Sequence, residues 1–189
     1  IWDAMQRKET FATSGPMMKV RFFGSFDYAT DDVAKPDFLK LAYGRGVPMG
    51  GDLKPGAGKA PTFLVTAIKD PKSGNLDRIQ IVKGWLDAEG KQHEKVYDVA
   101  WSGDRAIGAD GKLPAVGDSV DSKTATYTDA IGVAELATAW TDPAFDPKQH
   151  ALYYVRVLEI PTPRFTTYDA VRNKLPLLKD VPATLQERA

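Results

Sequence analysis

The chain holds two histidines, His93 and His150, 57 positions apart and in neither an H-x-x-x-H nor an H-x-H spacing. A catalytic zinc-type centre needs three nitrogen or oxygen ligands and an open position, so no internal transition-metal site is expected. Each histidine borders a strand-like run, where an exposed strand-end role accounts for it. Cysteine is absent, which excludes disulfides, thiolate metal sites and thiol nucleophiles. Asp104, Asp110, Asp118 and Asp121 crowd one glycine-rich stretch and could supply oxygens to a hard cation. Ala106 and Gly108, however, occupy intermediate positions where an EF-hand needs ligands, and solvated turns explain the acids. Gly56-Ala57-Gly58-Lys59 resembles part of a phosphate-binding loop. Leu53 stands where the first glycine belongs and Ala60 replaces the hydroxyl residue, so a surface loop is expected. No Gly-x-Ser-x-Gly elbow exists to raise a nucleophilic serine.

Other polar and aromatic residues are less easily assigned. Arg45, Asp52, Lys83 and Arg164 each sit in a stiff segment bounded by glycine or proline, and surface solvation suffices for all four. Trp85, Tyr97 and Trp101 belong to one hairpin, whose outer face could carry an aromatic platform for carbohydrate. Core or interface anchoring is the commoner use of such rings.

The elements that must position these residues are mostly strands. Residues 18–23 alternate Lys19 and Arg21 with Val20 and Phe22, the period of a half-buried strand. Residues 62–69 (TFLVTAIK) are almost continuously apolar, as a central strand should be. Residues 78–86 and 93–101 flank Asp87-Ala88-Glu89-Gly90, a turn with glycine placed for positive φ. In the second run Tyr97, Val99 and Trp101 are expected on one face, with Glu94, Val96 and Asp98 on the other. Residues 123–128, rich in threonine, predict a further short strand. Residues 135–141 (ELATAWT) have helical propensity but are short and stop at a proline, and are read as a strand; 151–160 (ALYYVRVLEI) are plainly one. Between the first two strands, residues 24–61 form a long excursion in which only 38–43 predict a helix, stopped by Gly44. Beyond Pro161 the proline-punctuated tail should lie along the surface without a core of its own.

The predicted fold is therefore mainly β, an antiparallel β-sandwich with short helices and long loops. Its length of 189 residues suits one domain with appendages, enough to hide about 70% of the unfolded chain's surface. Basic and acidic side chains number 25 each, so net charge gives no reason to expect nucleic acid. No stretch approaches the ~18 apolar residues of a membrane span. Ile1, Trp2 and Met5, followed by Gln6, Arg7 and Lys8, read as the last turns of an amphipathic helix without its cap. The expected context is the C-terminal piece of a longer protein.

Six segments carry a family resemblance: residues 5–16 (MQRKETFATSGP), 20–24 (VRFFG), 45–53 (RGVPMGGDL), 75–85 (NLDRIQIVKGW), 94–102 (EKVYDVAWS) and 153–164 (YYVRVLEIPTPR). Together they resemble the C-terminal part of the domain-of-unknown-function 3604 family over nearly the whole chain. That resemblance implies relatives in the polymerase-and-histidinol-phosphatase superfamily, metal-dependent hydrolases on a distorted barrel. Their histidine and aspartate ligand runs lie before the helix with which this chain opens, and none is present here. On this view residues 1–16 end an upstream catalytic domain, 17–165 form the β-sandwich with its loop insertion at 24–61, and 166–189 are a surface tail. The resemblance implies no cofactor in this chain, divalent metal ions in the missing N-terminal domain, that domain as its partner, and a periplasmic or otherwise exported protein. Arg45, Asp52, Lys83 and Arg164 then become candidates for contacts with the active-site mouth or an anionic substrate, since arginine and lysine pair with phosphate oxygens. The alternative is a glycan- or protein-binding module using Trp85, Tyr97 and Trp101.

Overall fold

The computed structural model describes residues 1–54 and 58–189. Its strands are β1 (Lys19–Ser25), β2 (Val47–Pro48), β3 (Thr62–Ile68), β4 (Leu76–Leu86), β5 (Gln92–Trp101), β6 (Glu135–Thr141), β7 (Ala151–Glu159), β8 (Thr162–Pro163) and β9 (Thr184–Leu185). Its helices are α1 (Trp2–Gln6), α2 (Phe38–Arg45) and α3 (Phe165–Asn173). One sheet runs β2-β1-β3-β6, a second β5-β4-β7, and β8 pairs with β9; every pairing is antiparallel.

The two larger sheets face each other, as alternation requires. Val20 and Phe22 of β1, with Phe63, Val65 and Ala67 of β3, meet Ile79 and Ile81 of β4 and Val157 of β7 in one buried cluster. Each of these side chains but the small Ala67 contributes roughly 1.5–3 kcal/mol when fully buried. The long apolar run of β3 has a second cause. Its other face carries Leu64, which packs with Phe23, Tyr28 and Ala42 beneath α2. Strand β3 is thus covered on both sides, and its run from Phe63 to Val65 is apolar throughout.

Pairing overrides local preference at β6. Despite helical propensity, residues 135–141 run in unbroken register along β3, from Ile68↔Glu135 to Thr62↔Thr141. The opposite holds at 123–128. No strand forms there; Asp121 and Thr126 make a single bridge, because no neighbouring strand offers an edge along the threonines. Helix α2 continues through Gly44 to Arg45 and ends at Gly46, so the expected stop comes two residues late. A further helix, α3, occupies 165–173 where only a surface tail was anticipated; it buries Thr167 and Ala170.

The margins of the sandwich are closed. On one side Thr138 of β6 donates to the carbonyl of Val99 on β5 at 3.2 Å. On the other, residues 187–189 lie along β7: the amide of Glu159 donates to the Glu187 carbonyl, and Val157 and Ala189 exchange two bonds, all at 2.9–3.0 Å. The amide of Ser14 then donates to the Arg188 carbonyl at 2.9 Å.

Candidate functional site

The RGVPMGGDL run builds a corner. Gly46 must be glycine, since a Cβ there would stand 2.1 Å from the Tyr28 hydroxyl and 2.5 Å from the Gly24 carbonyl oxygen. Gly50 must be glycine twice over. Its φ is +83°, and a Cβ would meet the carbonyl oxygens of Lys8 and Arg7 at 2.4 and 2.5 Å. The chain leaving α1 is therefore seated on Gly50. Tyr43 of α2 fastens the same stretch by donating its hydroxyl to the Glu9 carboxylate. The Glu9 carboxylate and burial together raise the Tyr43 pKa above its ordinary value.

Beside this corner opens a cleft of about 610 Å³, lined by Phe26, Asp27, Arg45, Asp52, Lys54 and Lys59 among others. Arg45 enters it from the last turn of α2, with its backbone carbonyl held by the Ser25 hydroxyl at 2.7 Å. Its guanidinium stays 55% exposed and lies 3.8 Å from Asp32, which is fully buried. Asp32 is already satisfied. It accepts from Lys35 Nζ at 2.6 Å and from the Ala29 amide at 2.8 Å, and the Lys35 bond holds its pKa below the usual carboxylate value against the effect of burial. Arg45 is therefore oriented by a fixed negative charge without being consumed by it, leaving donors for a ligand. Tyr28 braces the floor, giving its hydroxyl to the Ala42 carbonyl at 2.6 Å; burial pushes its pKa up to about 12.

The other two polar candidates lie elsewhere. Lys83 points between the sheets, where Nζ donates to Asp142 Oδ2 at 2.6 Å and to the Ala144 carbonyl at 2.7 Å. Tyr153 donates to the same carboxylate oxygen at 2.7 Å. Burial alone would raise the Asp142 pKa, but bonds from Lys83 and Tyr153 outweigh it and hold the carboxyl below its ordinary value. Arg164 precedes α3, stacks its guanidinium 5.6 Å over the Phe165 ring, and donates its backbone N–H to Ala183. Of the four, the structure brings Arg45 and Asp52 to one cleft.

The hairpin aromatics are divided by a bulge. Ile79 pairs with Ala100 but Gln80 with Asp98, so Val99 is an extra residue in β5. This reverses alternation beyond it. Tyr97 lies opposite Ile81 on the inner face, whereas Trp101 lies opposite Arg78 on the outer one, a correction to the common face expected for Tyr97, Val99 and Trp101. Tyr97 packs on Trp140 with centroids 4.8 Å apart, and Trp85 stacks on His93 at 5.3 Å. Trp101 donates Nε1–H to the Arg105 carbonyl at 2.7 Å. The three rings do not form one surface.

A family model described as "Protein of unknown function (DUF3604)" matches residues 1–189. The chain belongs to the DUF3604 family. No curated protein and no solved structure matches it significantly.

In this DUF3604 chain, no three His, Cys, Asp or Glu side chains converge to hold a metal ion among the described residues. His93 bonds to Asp87 at 2.7 Å. Asp110, Asp118 and Asp121 each cap a turn by accepting the amide two residues on, at 2.8–3.1 Å. The phosphate-loop comparison at Gly56-Ala57-Gly58-Lys59 falls partly outside the described residues. Lys54, which lines the cleft with Arg45, escaped the sequence reading as a lone cation in a glycine- and proline-rich loop; Lys59, also at the cleft, entered that reading only within the discounted phosphate-loop comparison. Asp77 escaped it too. This buried carboxylate accepts from Arg105 at 2.7 Å, Gln186 at 2.9 Å and Arg78 at 3.0 Å, tying the loop after β5 to the segment after α3.

Proposed function

We propose that this DUF3604 chain is the non-catalytic, β-rich region of a metal-dependent hydrolase, phosphoesterase-like in chemistry, and that it buttresses the catalytic domain preceding it and lines that domain's active-site mouth. The supporting observation is the placement of α1. Ile1, Trp2 and Met5 are exposed by 102%, 69% and 56%, an apolar surface suited to burial against a neighbour. The far end of that helix is seated on Gly50, two residues from Asp52 of the cleft. In this reading a domain continuing from α1 would lie on the side of the cleft that Arg45 and Asp52 line.

In this arrangement the chain supplies position and charge. In this reading the preceding domain holds the divalent ions, and no chemical step is assigned to this region. Arg45, Lys54 and Lys59 offer cations to an anionic group, and Asp52 offers an acceptor to a hydroxyl. The partner is the chain's own catalytic domain, and the setting is the periplasm or another exported compartment.

The test uses the full-length protein with a phosphate monoester and a divalent metal. Arg45→Ala and Asp52→Ala should raise KM about tenfold or more, with metal content unchanged. Metal-dependent turnover with KM unaffected by both variants would remove the lining role. Absence of any metal-dependent turnover would remove the hydrolase reading.

A further inference from the structure

Glu159, the last residue of β7, turns a carboxyl into the closed interior and is completely buried. Its Oε2 accepts from the Ser73 hydroxyl at 2.6 Å, while Oε1 has no hydrogen-bond partner among the described residues. Buried polar atoms are rarely left in that condition, because each unsatisfied one costs about 1–3 kcal/mol. The backbone of the same residue holds the chain's last described segment. Its amide donates to the Glu187 carbonyl at 2.9 Å, and its carbonyl accepts from Gln186 Nε2 at 2.8 Å. Beyond it, Val157 and Ala189 form the reciprocal pair, and the Ser14 hydroxyl reaches the Glu187 carboxylate. An under-satisfied acid therefore lies directly beneath the seam that closes the sandwich.

We propose that Glu159 is a proton-operated latch: protonated, it lets residues 187–189 close along β7; ionised, it loosens that segment from the β7 edge at 157–159. The inference is independent of the hydrolase reading.

The surroundings set its direction. Burial is the largest influence and lifts the carboxyl to about 7; the Ser73 hydrogen bond opposes it, Glu187 and Asp70 add to it, and Lys69 opposes it weakly. Tyr127 also faces the group from the loop after β5. Asp77 of β4 shares Gln186 with it and is itself neutralised by Arg78 and Arg105. Ionisation thus puts a buried negative charge near the half-buried Glu187, opposed by Lys69, which is itself paired with Asp129. The folded form holds its proton to higher pH than the unfolded chain, whose glutamate ionises at about 4.5. Closure is therefore strongest below that value, weakens as pH rises, and has lost its full increment above about 7.

Amide hydrogen exchange on the 189-residue chain, corrected for intrinsic rates, tests the latch at about pH 5.5 and about pH 8. Protection at Val157, Glu159 and Ala189 should fall about tenfold or more at the higher pH, relative to Leu64 and Val65 of β3. In Glu159→Gln the same amides should keep their protection. Equal loss in the variant, or no loss in the wild type, overturns the proposal. Should the variant fail to fold, a carbon-13 titration of the wild-type Glu159 carboxyl decides. A midpoint near 7 that coincides with the loss of protection at Val157 and Ala189 supports the latch; a midpoint near 4.5, or ionisation without that loss, ends it.

Discussion

Lys83 and Arg45 are both cations in glycine-bounded segments, and the molecule uses them in opposite ways. Lys83 is 3% exposed, with its charge met by a fully buried Asp142 and two of its donors bound. Arg45 is 55% exposed, and the carboxylate beside it is already satisfied by Lys35 and Ala29. Around Lys83 the ammonium and its carboxylate partner are engaged and hold two sheets together. Around Arg45 the backbone is what is fixed, by Gly46 and Gly50, and among the described residues the Arg45 guanidinium keeps unused donors. Fitness to bind a ligand is decided by that spare capacity, which residue type does not reveal.

The comparison can be broken at three points. The largest effect is expected at the saturated pair: Asp142→Ala should cost about 3–5 kcal/mol in urea unfolding, because a buried ammonium loses its counter-charge. The double change Lys83→Met with Asp142→Leu should recover most of that loss. A small cost for Asp142→Ala alone would mean that the pair is not holding the sheets. Next comes the rigid backbone of the corner. Gly50→Ala must place a Cβ against two carbonyl oxygens at positive φ and should cost about 2 kcal/mol; a neutral result would show that the chain after α1 is not seated there. Smallest is Arg45→Ala, for which the same measurement should show less than about 1 kcal/mol, as for exposed ion pairs generally. A loss as large as that of Asp142→Ala would make Arg45 a structural residue and erase the distinction.

Much of the framework was legible in the sequence because its signals are local. Alternation exposed β1 and β5, a continuous apolar run marked β3, and Asp87 to Gly90 announced a turn in which Gly90 does take positive φ, 78°. What escaped depends on partners far away. Lys83 and Asp142 are separated by 59 positions, and nothing near either residue advertises the other. The bulge at Val99 leaves no mark in a run that alternates cleanly on paper, yet it sends Trp101 to the other face. Helix α3 lacks a side-chain cap and sits between prolines, so composition hid it. Threonines at 123–128 satisfied strand propensity and still formed none, since propensity acts only where an edge is offered. The cleft was half visible: Arg45 and Asp52 share one stiff run, but Lys54 does not stand out, and Lys59 drew notice only in a phosphate-loop comparison that its neighbours fail.

Strand β3, covered on both faces, also shapes how the chain reaches this state. Strands β4 and β5 are joined by a five-residue connection and can meet at once, whereas β3 must find β1 across 36 intervening residues and β6 across 66. Closing such loops carries an entropic toll that local hairpins avoid. The most thoroughly enclosed strand of the molecule is for that reason among the last to be enclosed, and until then its apolar run from Phe63 to Val65 lies open to any other chain nearby.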